Sequence, residues 1–204
     1  MNIAVFASGR GSNFQAILNA IDDGRLPARV ALLVSNNSKA GALELARSRK
    51  IPAMHLNQKQ YSSEDMYEER LLELLERHGV ELIALAGYMK RIPVKVIDRY
   101  KNRILNIHPA LLPAFGGAGM YGIHVHEAVL ASGARTTGAT VHIVDEEYDE
   151  GPIVMQKAVD VLSDDTPETL AARVLLVEHE IYPKAIAAFA SKRVRIEGRN
   201  VWIQ

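Results

Sequence analysis

Short apolar runs alternate with helix-periodic segments along the first half of the chain, and this alternation constrains the fold more than any other feature. Strands are predicted at residues 2–7, 29–35, 52–56, 81–86 and 103–107. Helices are predicted between them, from Phe14 to Ile21 and at residues 40–50, 64–78 and 93–100. Strands that alternate with helices form parallel sheets. We therefore predict an α/β fold with a Rossmann-like, open, mostly parallel twisted sheet and helices on both faces.

The second half of the chain departs from this alternation. Residues 114–122 contain four glycines and no apolar periodicity, so a flexible loop is predicted there, followed by a helix at 124–132. Strands at 138–145 and 153–162 are expected to be antiparallel additions to the sheet. A long helix is predicted at 166–190, with Asp164 or Thr166 as N-cap, and a hairpin at 194–203. Residues 1–204 are predicted to form one domain.

Charge and composition limit the classes of partner. Lys plus Arg and Asp plus Glu number 24 each, so no net charge attracts nucleic acid or an anionic membrane. The chain has no cysteine, which excludes disulfides, thiolate catalysis and cysteine zinc sites. It has no signal-peptide pattern and no apolar run that approaches about 20 residues. We expect a cytoplasmic protein that acts on small molecules as a monomer or homodimer, without nucleic acid or membrane partners.

A glycine-containing turn, Ser8–Asn13, follows the first predicted strand and precedes the first helix. Glycines let the backbone approach a ligand, and the amides of a helix N-terminus attract phosphate. The spacing matches neither the dinucleotide nor the Walker glycine pattern. The alternative is a capped turn without a ligand, in which Ser12 is the N-cap. The turn therefore favours a phosphate site without naming the nucleotide.

Asn106 and His108 stand two residues apart at the end of a predicted strand, and Pro109 prevents the strand from continuing. Side chains two residues apart on a strand project to the same side. An amide donor beside an imidazole suits reactions in which a carbonyl oxygen becomes negative. The alternative is a histidine that is only hydrogen-bonded at a strand end.

An acidic turn at residues 145–151 carries five carboxylates in seven residues. Such a run is usually a solvated loop. If one carboxylate reached His108, it would raise the pKa of that imidazole, but the sequence does not say which one. Metal binding by His124, His126 and His142 is not predicted, because residues 124–132 are predicted to be helical and i,i+2 residues do not share a helix face.

Together these motifs resemble the folate-dependent glycinamide ribonucleotide transformylase family. The resemblance runs nearly end to end and rests on residues 8–13, 85–89, 106–113, 138–142, 148–152 and 178–183. It implies transfer of the formyl group of 10-formyltetrahydrofolate to the amine of glycinamide ribonucleotide in purine biosynthesis, with no metal. It also implies a nucleotide-binding half of about residues 1–105 and a folate-pocket half of about residues 106–204.

The resemblance assigns the catalytic roles to three residues. Asn106 would donate a hydrogen bond to the tetrahedral oxyanion, and protonated His108 would stabilise that oxyanion and donate a proton. Asp149 would keep His108 charged and relay protons from the amine. Glycinamide ribonucleotide would be bound by Gly11, Ser12, Asn13, Gly87, Met89 and Glu178. The folate would be bound by Met89, Lys90, Arg91, Ile92, Asn106, Asp145, Glu146, Glu147, Tyr148 and Asp149, with a cationic contact from either Lys90 or Arg91.

Four other functions are less consistent with the sequence. Methionyl-tRNA formyltransferase is expected to carry a tRNA-binding domain and a basic surface, and formyltetrahydrofolate hydrolase an N-terminal regulatory domain. A non-catalytic nucleotide sensor has no use for Asn106, His108 and Asp149 together. A dehydrogenase is expected to carry the dinucleotide glycine pattern.

Overall fold

The computed structural model describes residues 1–204, which form nine strands and six α-helices. The strands are β1 (Asn2–Phe6), β2 (Arg29–Ser35), β3 (Ala53–His55), β4 (Leu82–Leu85), β5 (Ile104–His108), β6 (Thr136–Ile143), β7 (Ile153–Asp160), β8 (Val194–Glu197) and β9 (Asn200–Ile203). The helices are α1 (Ser12–Asp22), α2 (Gly41–Ser48), α3 (Glu64–Arg77), α4 (Val94–Arg99), α5 (Ile123–Ala131) and α6 (Pro167–Ala190), with a short 3₁₀ helix at Gln58–Gln60.

The sheet confirms the predicted fold class. Seven strands follow the order β3-β2-β1-β4-β5-β6-β7, and β8 pairs only with β9. The pairs β1–β2, β1–β4 and β2–β3 are parallel, whereas β6–β7 and β8–β9 are antiparallel. None of the helices combines the length and the apolar character needed to cross a membrane. The fold is therefore α/β, with a mostly parallel sheet and antiparallel additions in the second half.

The first of two compact units, Met1–Leu105, is organised around β1. Residues 3–6 of this strand are fully buried because β2 and β4 flank it on either side. Helix α1 buries Phe14 and Ile17, two of the residues whose spacing predicted it. The polar turn after β1 thus lies at the end of a rigid central strand.

The second unit, Asn106–Gln204, contains the antiparallel pair β6–β7 and helix α6. Thr166 is the N-cap of α6, since its side chain accepts a hydrogen bond from the Thr169 amide and Pro167 follows it. Of the two predicted caps, Thr166 is therefore correct. The hairpin β8–β9 packs against β7 through β9.

Candidate active site

Asn106 and His108 occupy the end of β5, where His108 is 3% exposed and Asn106 is half-buried. The chain after the strand is fixed by Thr140 on β6. Its hydroxyl donates to the Ala110 carbonyl at 2.7 Å and accepts the Leu112 amide at 3.1 Å. The two polar side chains therefore project from a braced strand end.

Asp149 is the carboxylate of the acidic turn that reaches His108. Its Oδ2 lies 3.5 Å from His108 Nδ1, and its Oδ1 lies 3.4 Å from His142 Nε2. The Gly117 amide donates to Oδ2 at 3.0 Å. The structure thus answers the question that the sequence left open and adds His142 to the cluster.

The hydrogen bonds of the two imidazoles determine which nitrogens carry protons. His108 Nε2 lies 2.8 Å from the Phe115 carbonyl and must donate to it, which turns Nδ1 toward Asp149. His142 Nδ1 similarly donates to the Ile143 carbonyl at 3.0 Å. An amide nitrogen can only donate, so His142 Nε2 accepts an N–H of Asn106 Nδ2 at 3.0 Å. This bond orients the Asn106 amide and leaves its second N–H for a ligand.

Burial controls the pKa of His108. Desolvation lowers this pKa and outweighs the opposing effects of the Asp149 charge and the Phe115 carbonyl. Asp149 raises the pKa of His108, as expected for a neighbouring carboxylate. The expectation that the carboxylate keeps the ring charged is wrong, because burial has the larger effect and the net pKa is lowered. For Asp149, burial raises the pKa, but His142, His108 and the Gly117 amide together bring it below its ordinary value. Asp149 is therefore an anion at neutral pH.

Two backbone features bring Asp149 and His142 to this position. The register of β6–β7 shifts between Val141 and His142, and such irregularities redirect a side chain. Asp149 has a φ of 59°, and a Cβ on Gly151 would lie 1.8 Å from the Ile143 carbonyl oxygen. The acidic turn therefore closes tightly onto the end of β6, and only glycine fits at residue 151.

The turn after β1 leads directly into the N-terminus of α1. Gly11 is the N-cap with φ 90°, and no side chain caps the helix. Ser12 is the first helical residue, so the alternative with Ser12 as N-cap is wrong. A Cβ on Gly11 would lie 3.0 Å from the Ala42 side chain, which shows how closely α2 packs on this turn. A helix N-terminus that no side chain caps favours binding of an anion.

Ser8 joins this turn to the segment after β4. Its hydroxyl donates to Asn36 Oδ1 at 2.5 Å and accepts the Met89 amide at 2.9 Å, and its amide donates to the Gly87 carbonyl at 3.0 Å. Two of the predicted nucleotide-binding segments are thus adjacent. Of the predicted folate-binding residues here, Met89, Lys90 and Arg91 are exposed and Ile92 is buried.

The other predicted site residues lie on two elements of the second unit. Glu178 is buried on α6, at 8% exposure. Asp145 is half-buried in the acidic turn, and Glu146, Glu147 and Tyr148 are exposed. No group of three or more His, Asp or Glu side chains is arranged to hold a metal ion. His124 instead pairs with Glu127 at 3.0 Å on the surface of α5.

Comparison with known proteins identifies the family. The family model described as "Formyl transferase" matches residues 1–186. The chain belongs to this formyl transferase family. It is 42% identical to a phosphoribosylglycinamide formyltransferase of Bacillus subtilis, over 90% of this chain and 91% of that protein. It is also similar to the crystal structure of glycinamide ribonucleotide transformylase 1 from Symbiobacterium toebii, with a TM-score of 0.93, 44% identity and coverage of 100% and 93% of the two chains.

A plant relative is longer than this chain. The chain is 48% identical over 95% of its length to "Phosphoribosylglycinamide formyltransferase, chloroplastic" of Arabidopsis thaliana. It spans 66% of the length of that relative, slightly less than two thirds.

Sequence reasoning from single motifs missed His142 and Thr140 as members of the cluster. A signal was present, because Gly138, Thr140 and His142 recur at every second residue of one strand and so share a face. Their partners are remote in sequence, which is why this face could not be connected to Asn106 and His108.

Acidification is expected to destabilise the folded protein. Burial lowers the pKa of His108, His126 and His179 from the ordinary value of 6.5, so their protonation favours the unfolded chain. Their contribution to stability is complete above about pH 6.5 and decreases as the pH falls toward the folded-state values. Urea unfolding at about pH 7.5 and 5.5 measures the change. His126→Gln should reduce the decrease; a free energy of unfolding that is equal or higher at the lower pH contradicts the prediction.

Proposed function

We propose that this chain transfers the formyl group of 10-formyltetrahydrofolate to the amine of glycinamide ribonucleotide, a step of purine biosynthesis. The observation that carries the proposal is the cluster in which Asn106 and His108 meet Asp149 and His142. The relatives named phosphoribosylglycinamide formyltransferase support this substrate pair. The cluster contains an amide donor, an imidazole and a largely buried carboxylate, which are groups that assist acyl transfer to an amine.

The proposed reaction begins when the glycinamide nitrogen attacks the formyl carbon. The carbonyl oxygen becomes an oxyanion that accepts hydrogen bonds from the second N–H of Asn106 and from His108 Nε2, whose present acceptor is the Phe115 carbonyl. This new negative charge raises the pKa of His108, and Asp149 acts in the same direction. Asp149 accepts the proton that the attacking amine loses, the oxyanion re-forms the carbonyl as the carbon–N10 bond breaks, and the same proton is passed on to N10. The products are formylglycinamide ribonucleotide and tetrahydrofolate.

Residues 1–105 are proposed to form the nucleotide-binding half and residues 106–204 the folate-binding half. The N-terminus of α1, which has Gly11 as N-cap and no side-chain cap, supports binding of the substrate phosphate at Gly11, Ser12 and Asn13. Gly87, Met89 and Glu178 are proposed to contact the rest of the nucleotide. The folate is proposed to contact Met89, Lys90, Arg91, Ile92, Asn106 and the acidic-turn residues Asp145, Glu146, Glu147, Tyr148 and Asp149.

Gly11→Ala is expected to raise KM for glycinamide ribonucleotide roughly tenfold, with little change in KM for the formyl donor. The added Cβ would meet Ala42 at 3.0–3.1 Å, and φ 90° disfavours any L side chain. Both effects displace the amides proposed to bind the phosphate. Steady-state kinetics with each substrate varied in turn measures the two constants. Equal changes in both KM values would argue against a phosphate site at this turn.

The decisive experiment incubates the pure protein with 10-formyl-5,8-dideazafolate and glycinamide ribonucleotide and follows deformylation by absorbance. We expect turnover that requires the nucleotide. Equal turnover without it indicates a hydrolase, and no turnover with both substrates present rejects the proposal. His108→Ala should lose most turnover and still bind the nucleotide in calorimetry.

We propose further that the protein acts in the cytoplasm on small-molecule substrates alone, as a monomer or a homodimer. The balanced charge of the chain supports the absence of a nucleic acid partner. Light scattering coupled to gel filtration distinguishes the two oligomeric states. A larger assembly would contradict both.

A further inference from the structure

The hairpin β8–β9 contacts the acidic turn through the residue at its tip. Arg199, between the two strands, donates from Nη2 to the Glu150 carbonyl at 2.5 Å. Glu150 directly follows Asp149 in the chain. The hairpin is held in place because β9 packs against β7, the strand that follows the turn. The hairpin lies beyond residues 1–186, the part of the chain that the family model matches.

The acidic turn needs such an external support for two reasons. Its five carboxylates repel one another, and a guanidinium beside them offsets part of that repulsion. Asp149 also adopts a φ of 59°, in the left-handed region that residues other than glycine occupy uncommonly. A charged donor to the next carbonyl restrains the backbone directly after this strained residue.

We propose that Arg199 is a positioning residue that holds the acidic turn in the conformation in which Asp149 faces His108 and His142. This inference rests on the proposed function, because it assigns Arg199 to the same reaction. Arg199 acts through the backbone of Glu150 and does not itself contact the cluster.

The test compares Arg199→Gln with Arg199→Lys in the full-length protein. Arg199→Gln removes the charge and is expected to raise KM for 10-formyl-5,8-dideazafolate and lower kcat, each roughly 5- to 10-fold, from the usual strength of a charge-assisted hydrogen bond. KM for glycinamide ribonucleotide should not change. Arg199→Lys keeps a charged donor and should restore most of both parameters. The matched control is Arg195→Gln on the same hairpin, where an exposed arginine pairs with Glu197 at 3.4 Å.

The outcomes separate this inference from the proposed function. Hydrogen exchange of the peptide that covers residues 145–151 should become faster in Arg199→Gln and not in Arg195→Gln, whether or not the protein turns over. A wild-type enzyme with nucleotide-dependent turnover and an Arg199→Gln variant with unchanged kinetics would overturn the positioning role alone. The same holds if thermal stability falls while the kinetic constants and the exchange at the turn stay unchanged.

Discussion

Asp149→Asn is expected to lower kcat by about 10²–10⁴-fold, the range typical for loss of a proton-transfer group. The asparagine side chain is nearly isosteric with aspartate, and its oxygen can still accept a hydrogen bond from the Gly117 amide. The turn should therefore keep its backbone conformation. The asparagine lacks the negative charge that opposes the effect of burial on His108. It also cannot accept the proton that the attacking amine must lose. The assay with 10-formyl-5,8-dideazafolate gives kcat, and calorimetry with glycinamide ribonucleotide should show binding close to wild type.

A second histidine–carboxylate pair provides the control for this variant. His124 and Glu127 lie 3.0 Å apart on α5, and both side chains are more than half exposed. Glu127→Gln therefore removes a pair of the same chemical type where water screens it, and it should leave kcat unchanged. Full activity of Asp149→Asn at neutral pH would show that the carboxylate charge has no role in proton transfer.

Most of the fold could be predicted from local sequence patterns. The strands of the first unit come from short, mainly apolar runs, and helices such as α3 show their buried face at helical spacing. The predicted bounds of these elements therefore agree with the observed bounds to within a few residues. The sequence limited the cap of α6 to Asp164 or Thr166, and the hydrogen bond from the Thr169 amide selects Thr166. These signals are local, and neighbouring residues alone determine them.

The candidate site was only partly predictable, because its central contacts join residues remote in sequence. Asn106 and His108 could be paired from their spacing on one strand. The motifs alone could not choose Asp149 among five carboxylates, since the choice depends on how the folded acidic turn places each side chain relative to His108. The net pKa direction of His108 was also beyond the sequence, because it depends on how completely the folded chain buries the ring. In both cases tertiary packing determines the outcome.

Gly151→Ala is expected to damage both stability and catalysis. A Cβ at this residue would lie 1.8 Å from the Ile143 carbonyl oxygen and 2.9 Å from its carbon, and these backbone atoms cannot move without disturbing the end of β6. The overlap should lower the free energy of unfolding by about 2–4 kcal/mol, as for severe overpacking. It should also displace Asp149 from His108, and an error of about 1 Å in such a group can cost 10²-fold in kcat.

The matched control for Gly151→Ala is Gly133→Ala, after α5 in the same unit. Gly133 has a φ of 73° and open space around its Cβ position, so alanine there adds backbone strain of about 1 kcal/mol without an overlap. Urea unfolding and the deformylation assay should therefore show a modest loss of stability with unchanged kcat for Gly133→Ala, and a loss of both for Gly151→Ala. Wild-type kcat in Gly151→Ala would mean that the turn can accept an extra methyl group without moving its carboxylate. The tight closure of the acidic turn onto β6 would then not be the feature that holds Asp149 beside His108.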